Sequence, residues 1–243
     1  MGQLQGKVAI ITGAGSGFGE GMAEAYVREG AKVIIADLNA AAGERVAKAL
    51  GANAKAVATD VANRDSVAAM VKTCIDSFGV PDIVINNAGT THKNQPMLQV
   101  DEKTFDRMFA VNVKSIYYMA HAVIPAMRER GQGGVMLNVG STAGIRPRPG
   151  LSWYNGSKGA VNLLSKAMAV ELAPDRIRVN ALCPVMCATA LLADFMGVPD
   201  TPENRAKFVS TIPLGRFCEP RDMAAAAVFL GTDAAEFLTG LEF

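Results

Sequence analysis

Short apolar, β-branched runs recur along this 243-residue chain, and stretches of helical period separate them. Residues 7–12, 32–37, 54–59, 83–86, 134–139 and 177–182 read as strands. Residues 17–30, 40–50, 64–78, 105–130, 154–172 and 222–230 read as helices, with Pro125 a kink or end point inside the fourth. The strands are apolar throughout rather than alternating, so both of their faces need cover. Strands alternating with helices supply that cover as βαβ units on a parallel sheet. The expected fold class is α/β: one domain over 1–243, a doubly wound parallel sheet with helices on both faces. Residues 184–214 break the rhythm and carry Pro199, Pro202 and Pro213.

Half of the residues are apolar, and the length suffices for one sizeable core. A formal net charge of +1 favours neither nucleic acid nor an anionic membrane as partner. No run reaches the ~18 apolar residues of a membrane span, and the N-terminus lacks the pattern of a signal peptide. Gly2 invites lipidation, but Gly6 stands where that motif needs Ser or Thr. Cys74, Cys183, Cys187 and Cys218 form no disulfide framework, which fits a reducing cytoplasm.

Three constellations carry chemistry. Gly13, Gly15, Gly17 and Gly19, with Ala14, Ser16 and Phe18 between them, fill the first strand–helix junction. Closely spaced glycines let backbone approach a pyrophosphate, and a helix N-terminus offers free N–H groups; the bland reading is an ordinary turn. Asp37 ends the second strand, where a carboxylate accepts hydrogen bonds from ribose hydroxyls and repels a 2′-phosphate. No Lys or Arg lies between Gly13 and Gly19, and Leu38 and Asn39 add no cation, so NAD is expected over NADP. The alternative for Asp37 is a helix-capping surface residue. Tyr154 and Lys158 are four residues apart on one helix face. A cation there lowers the phenol pKa and suits it to proton transfer, unless the pair merely belongs to a solvated face.

Together these motifs resemble the short-chain dehydrogenase/reductase superfamily, over nearly the whole chain. Thr12–Gly19 looks like its Thr-Gly-x-x-x-Gly-x-Gly loop, Asp60-Val61 its adenine-contacting pair, and Asn86-Asn87-Ala88-Gly89 its Asn-Asn-Ala-Gly motif. Asn112, Ser141, Tyr154 and Lys158 fall in the order of its catalytic tetrad. The likeness is greatest to bacterial enzymes of the 3-oxoacyl-carrier-protein reductase and glucose dehydrogenase type. It implies a Rossmann fold, a homotetramer built partly from the helices at 105–130 and 154–172, and an NAD site that also takes in Pro184 and Thr189. Two departures stand out: Val185 follows Pro184 where the family usually has Gly, and the chain reaches Phe243 without the usual last strand near Asp-Gly-Gly. A missing strand would expose a sheet edge and bears on assembly.

The resemblance also implies a mechanism. In oxidation Tyr154 removes the hydroxyl proton as the hydride leaves, and Lys158 holds the ribose hydroxyls and lowers the Tyr pKa. Ser141 orients the substrate oxygen, and Asn112 anchors a water that links Lys158 to solvent. Leu191 and Phe195 belong to a lid over 185–214. Trp153, Arg146 and Arg148 add an apolar wall and a basic rim, which would suit an anionic substrate if the arginines are not simply solvated. Cys183 and Cys187 do not make a metal site, since the only histidines are His92 and His121. His92 lies near the pocket or in a solvated loop. The expected function is NAD(H)-dependent hydride transfer between nicotinamide and a secondary alcohol or carbonyl. The rivals are a 3-oxoacyl thioester reductase, a polyol or sugar dehydrogenase, and a non-catalytic NAD-binding regulator.

Overall fold

The computed structural model describes residues 2–188 and 192–243; Thr189 and Leu191, expected at the cofactor and substrate, lie outside the described residues. β1 (Val8–Thr12) leads into α1 (Gly17–Arg28), β2 (Lys32–Asp37) into α2 (Ala40–Leu50), and β3 (Ala54–Ala58) into α3 (Arg64–Phe78). After β4 (Ile83–Asn86) come α4 (Glu102–Phe109) and α5 (Ser115–Arg130), then β5 (Gly134–Val139), α6 (Ser152–Leu172) and β6 (Ile177–Leu182). Two short helices, α7 (Leu192–Met196) and α8 (Pro202–Val209), precede α9 (Pro220–Gly231). These six strands pair in parallel in the order β3-β2-β1-β4-β5-β6. This is the doubly wound Rossmann sheet, with its direction of winding reversed between β1 and β4.

Successive side chains of a strand point to opposite faces. Ala9, Ile11, Val33, Ile35 and Leu137 pack against α1 and α9 through Met22, Tyr26, Ala224 and Ala227. Val8, Ile10, Ile34, Val84 and Met136 pack against α3, α5 and α6 through Met70, Val71, Val123 and Leu172. Both faces are dry, which is why the strands read as apolar at every position. The buried Tyr26 hydroxyl donates to Ala227 O at 2.8 Å and ties α1 to α9.

The helix expected over 105–130 is interrupted. A π turn at Ala110–Lys114 separates α4 from α5 and contains Asn112. Pro125 sits inside α5 without ending it.

The expectation of a bare sheet edge is also corrected. Ala181 N–H donates to Leu241 O at 2.8 Å, Phe243 N–H to Ala181 O at 2.8 Å, and Cys183 N–H to Phe243 O at 2.7 Å. The last residues therefore run parallel beside β6. Asn180 fastens them from within the core: its amide donates to Leu238 O at 2.9 Å and accepts from Leu241 N–H at 3.0 Å. Asn180→Ala leaves Leu241 N–H without its partner, while Arg178 still donates to Leu238 O at 3.2 Å, and should cost about 2 kcal/mol in urea unfolding. A change below a few tenths of that would show that the tail is held by its backbone ladder alone.

Candidate active site

The C-terminal ends of β1, β4, β5 and β6 open onto one cleft of about 390 Å³, in the size range of small-ligand sites. It lies at the reversal point of the sheet, where doubly wound folds bind ligands.

The glycine loop forms one wall. Gly13 has φ +62°, and an added Cβ would come within 2.9 Å of Ala88 Cα. A Cβ on Gly15 would lie 2.9 Å from the Asp37 carboxylate carbon. Gly19 is so close to Gly13 O and the Asn87 amide that any side chain would collide with them. Ser16 precedes α1 without capping it, so the first N–H groups of the helix stay available to an anion. Thr12 Oγ1 accepts from Asn87 N–H and Ala88 N–H, both at 3.0 Å. The Asn87 amide returns a bond to Thr12 O at 2.8 Å. Ser16, Gly17, Phe18, Asn87, Ala88, Gly89 and Pro184 all line the cleft.

Asp37 sits behind this wall. One carboxylate oxygen accepts from Gly15 N–H at 2.8 Å and the other from Asn39 N–H at 2.8 Å. Leu38 is exposed beside it. Asp60 and Val61 follow β3, one strand further out than Asp37; Asp60 accepts from Ala62 N–H at 2.9 Å and pairs with Arg107 at 3.6 Å.

Ser141, Tyr154 and Lys158 meet in the opposite wall. Ser141 lies two residues beyond β5, and its hydroxyl accepts from Ala143 N–H at 3.0 Å. Tyr154 and Lys158 share one face of α6, with Lys158 Nζ 6.0 Å from the Tyr154 ring centroid. Lys158 donates to Val139 O at 2.7 Å. Burial pushes the Tyr154 phenol up to about 12, with the Ser141 hydroxyl beside it working the other way. Burial also pushes Lys158 down to about 8. Lys158 is expected to lower the phenol; here burial is the largest influence on it, opposed by the Ser141 hydroxyl and the Arg148 charge. Asn112 stands behind the cleft. Its amide bonds Thr90 N–H at 2.8 Å, Thr90 O at 2.9 Å and Ser157 Oγ at 3.0 Å.

The substrate-side residues divide. Arg148 and Phe195 line the cleft, and the Phe195 ring lies 5.0 Å from that of Tyr154. Arg146 is exposed and Trp153 is absent from the wall. One residue along a helix is a rotation of ~100°, so Trp153 turns away as Tyr154 turns in. Its indole N–H donates to Met97 O at 3.0 Å, and its ring meets Phe105 edge-on at 5.4 Å. His92 is buried, with Nδ1 2.9 Å from Lys93 O, and is not part of the wall.

Sequence reasoning missed several residues of the wall, Leu151 and Met186 among them. Their positions beside Tyr154 and Pro184-Val185 were the only signal. Val185 also lines the cleft, and its φ is not positive, so the missing glycine leaves no strain. A larger omission is Arg45 on α2. It donates to Gly15 O at 2.9 Å and forks onto Glu20 at 2.7 and 2.9 Å. The loop's cation comes from thirty residues downstream, where no local motif announces it.

A family model described as enoyl-(acyl carrier protein) reductase matches residues 13–243. A 4-formylbenzenesulfonate dehydrogenase of Comamonas testosteroni is 48% identical, over 98% of this chain and 95% of that protein. A sorbitol dehydrogenase of Cereibacter sphaeroides is 35% identical, over 97% of this chain and 94% of its own. Among solved structures, a 3-ketoacyl-(acyl-carrier-protein) reductase of Brucella melitensis complexed with NADH superposes with a TM-score of 0.93 at 47% identity, covering 99% of this chain and 96% of that one. Likeness of this extent, end to end in sequence and in backbone, leaves one conclusion: the chain belongs to the short-chain dehydrogenase/reductase superfamily.

Proposed function

We propose that the protein is an NAD(H)-dependent oxidoreductase that interconverts an alcohol and its carbonyl compound, on a substrate bearing an anionic group. The observation that carries this is the convergence of Tyr154, Lys158 and Ser141 in a cleft whose other wall is the glycine loop. The uncapped start of α1, the glycines with no room for a Cβ and the Asp37 carboxylate fit a dinucleotide without a 2′-phosphate. Bound there, the nicotinamide supplies the hydride acceptor or donor. Asp37 and Leu38 would take the adenosine ribose, and Asp60 and Val61 the adenine. Lys158 would hold the second ribose.

The remaining steps belong to side chains. Ser141 hydrogen-bonds the substrate oxygen and fixes it beside the phenol. With its pKa pushed up to about 12, Tyr154 is protonated at neutral pH, which is the form that gives a proton to the carbonyl oxygen in reduction. In oxidation the same oxygen takes the proton back. Asn112 acts as a positioning residue: its amide is committed to Thr90 and Ser157, and so ties the segment after β4 to α6 one residue before Lys158.

Substrate choice follows from Arg148, which shares the wall with Leu151, Met186 and Phe195. An apolar body with a guanidinium beside it suits an aryl or alkyl compound carrying a sulfonate or carboxylate. The Comamonas relative is named for such a molecule, 4-formylbenzenesulfonate. Exposed Tyr117 on α5 and Leu163 and Val170 on α6 support a homotetramer built on those helices. The four free cysteines suit a cytoplasmic protein.

Tyr154→Phe should lower kcat by ~100-fold or more, while NADH binding, followed by fluorescence titration, stays close to wild type. Wild-type turnover in that variant contradicts the proton-transfer role. Carbonyl reduction should be flat with pH below 7 and fall as pH rises through about 8, where Lys158 loses its proton. A profile flat to pH 10 would remove Lys158 from the mechanism. Arg148→Ala should raise KM for 4-formylbenzenesulfonate more than it lowers kcat, the mark of lost uniform binding. Benzaldehyde, which lacks the anion, should respond little. Equal responses to the two compounds would sink the anionic reading.

A further inference from the structure

With a dinucleotide in the cleft, choice between its two nicotinamide forms is made where the adenosine ribose meets the end of β2. Gly15 is gripped there through both of its flanking peptides: its N–H by Asp37 at 2.8 Å and its C=O by Arg45 at 2.9 Å. A guanidinium therefore stands one peptide away from the carboxylate that would face the 2′-hydroxyl. A planar arginine fork is the group that matches a phosphate best. Left free, Arg45 would favour the phosphorylated cofactor.

It is not free. Both terminal nitrogens of Arg45 are taken by the two carboxylate oxygens of Glu20, at 2.7 and 2.9 Å. Glu24, one turn further along α1, adds a second negative charge to the surroundings of the guanidinium. Glu20 lies in the first turn of α1, directly after the glycine loop, so loop, carboxylate and cation form one unit. The pair is partly exposed, with side-chain exposures of 58% for Arg45 and 24% for Glu20. Exposed pairs of this kind add little to stability, so breaking one leaves the fold intact and frees the charge.

We propose, resting on the dinucleotide reading of the cleft, that Glu20 is a specificity-determining residue: by holding Arg45 against the Gly15 carbonyl it withholds from a 2′-phosphate the cation that stands beside it. Discrimination then has two parts. Asp37 repels the phosphate, and Glu20 occupies the group that would attract it. Removing the repulsion alone leaves the attraction masked.

Calorimetric titration with NADPH and NADH, with no substrate present, separates the parts. In an Asp37→Ser background, adding Glu20→Gln should tighten NADPH by roughly 5- to 10-fold, as a freed charge-assisted bond would, and change NADH by much less. The gain should disappear when Arg45→Met is added, and it should shrink as salt is raised. Arg45→Met placed on Asp37→Ser alone should leave NADPH affinity unchanged, because Glu20 already holds the cation. Loss of NADPH affinity in that variant would overturn the proposal. So would an unchanged NADPH affinity on adding Glu20→Gln, or a gain that survives Arg45→Met. Thermal melts of each variant confirm that the proteins compared are folded. Failure of the wild type to bind NADH would bring down the dinucleotide reading itself, a result distinct from NADH binding with no effect of Glu20.

Discussion

A parallel sheet wound in two directions leaves a gap where the winding reverses, and the backbone bordering that gap must find partners outside the sheet. In this protein Thr12 and Asn87 provide them. The Thr12 hydroxyl accepts two consecutive N–H groups from the chain leaving β4, and the Asn87 amide reaches back to the carbonyls of Thr12 and Gly13. Neither segment can move without the other. The loop shaped for an anion and the loop that leads toward Lys158 are thereby fixed at one separation. Every later feature of the cleft is measured from that seam.

The opposite wall is fixed by buried polar side chains. Asn86 donates to Asn138 at 2.8 Å and Asn138 to Ser165 at 2.9 Å, joining β4, β5 and α6 below the cleft. Asn112, Thr90 and Ser157 form a second chain, which ends at Tyr154 O. Networks of this kind are useful only when every member is satisfied. Here they set the height of Tyr154 and Lys158 above the sheet. Burial at that height moves the phenol up and the ammonium down.

Local period and local motif account for most of what was legible in the sequence. β2, β4, β5 and β6, with α2 and α3, fall on the residues expected from their apolar runs and caps. The glycine loop, Asp37 and the pair Tyr154 and Lys158 are legible from spacing, and Ser141 from the family resemblance. The misses are tertiary. The π turn at Asn112 depends on that side chain finding Thr90 and Ser157 across space. Trp153 and Tyr154 are neighbours in sequence but face different ways, because a helix turns between them. Arg146 and Arg148 look alike in the sequence, and only burial tells them apart. Arg45 reaches the glycine loop because β2 and α2 carry it back across the sheet, and nothing in residues 13–19 hints at that.

The tail beside β6 has a mechanical side. Cys183 N–H is bonded to Phe243 O at 2.7 Å, and the next residue, Pro184, is already part of the cleft wall. Tension or bulk applied at Phe243 therefore acts one residue from the cleft wall, like a hand resting on a hinge pin. A change that displaces the Phe243 carbonyl would load that wall directly. At the opposite end of the chain, Gln3 N–H is bonded to Glu29 at 2.9 Å, beyond the far end of α1 from the cleft. A load on that side leaves the cleft wall untouched.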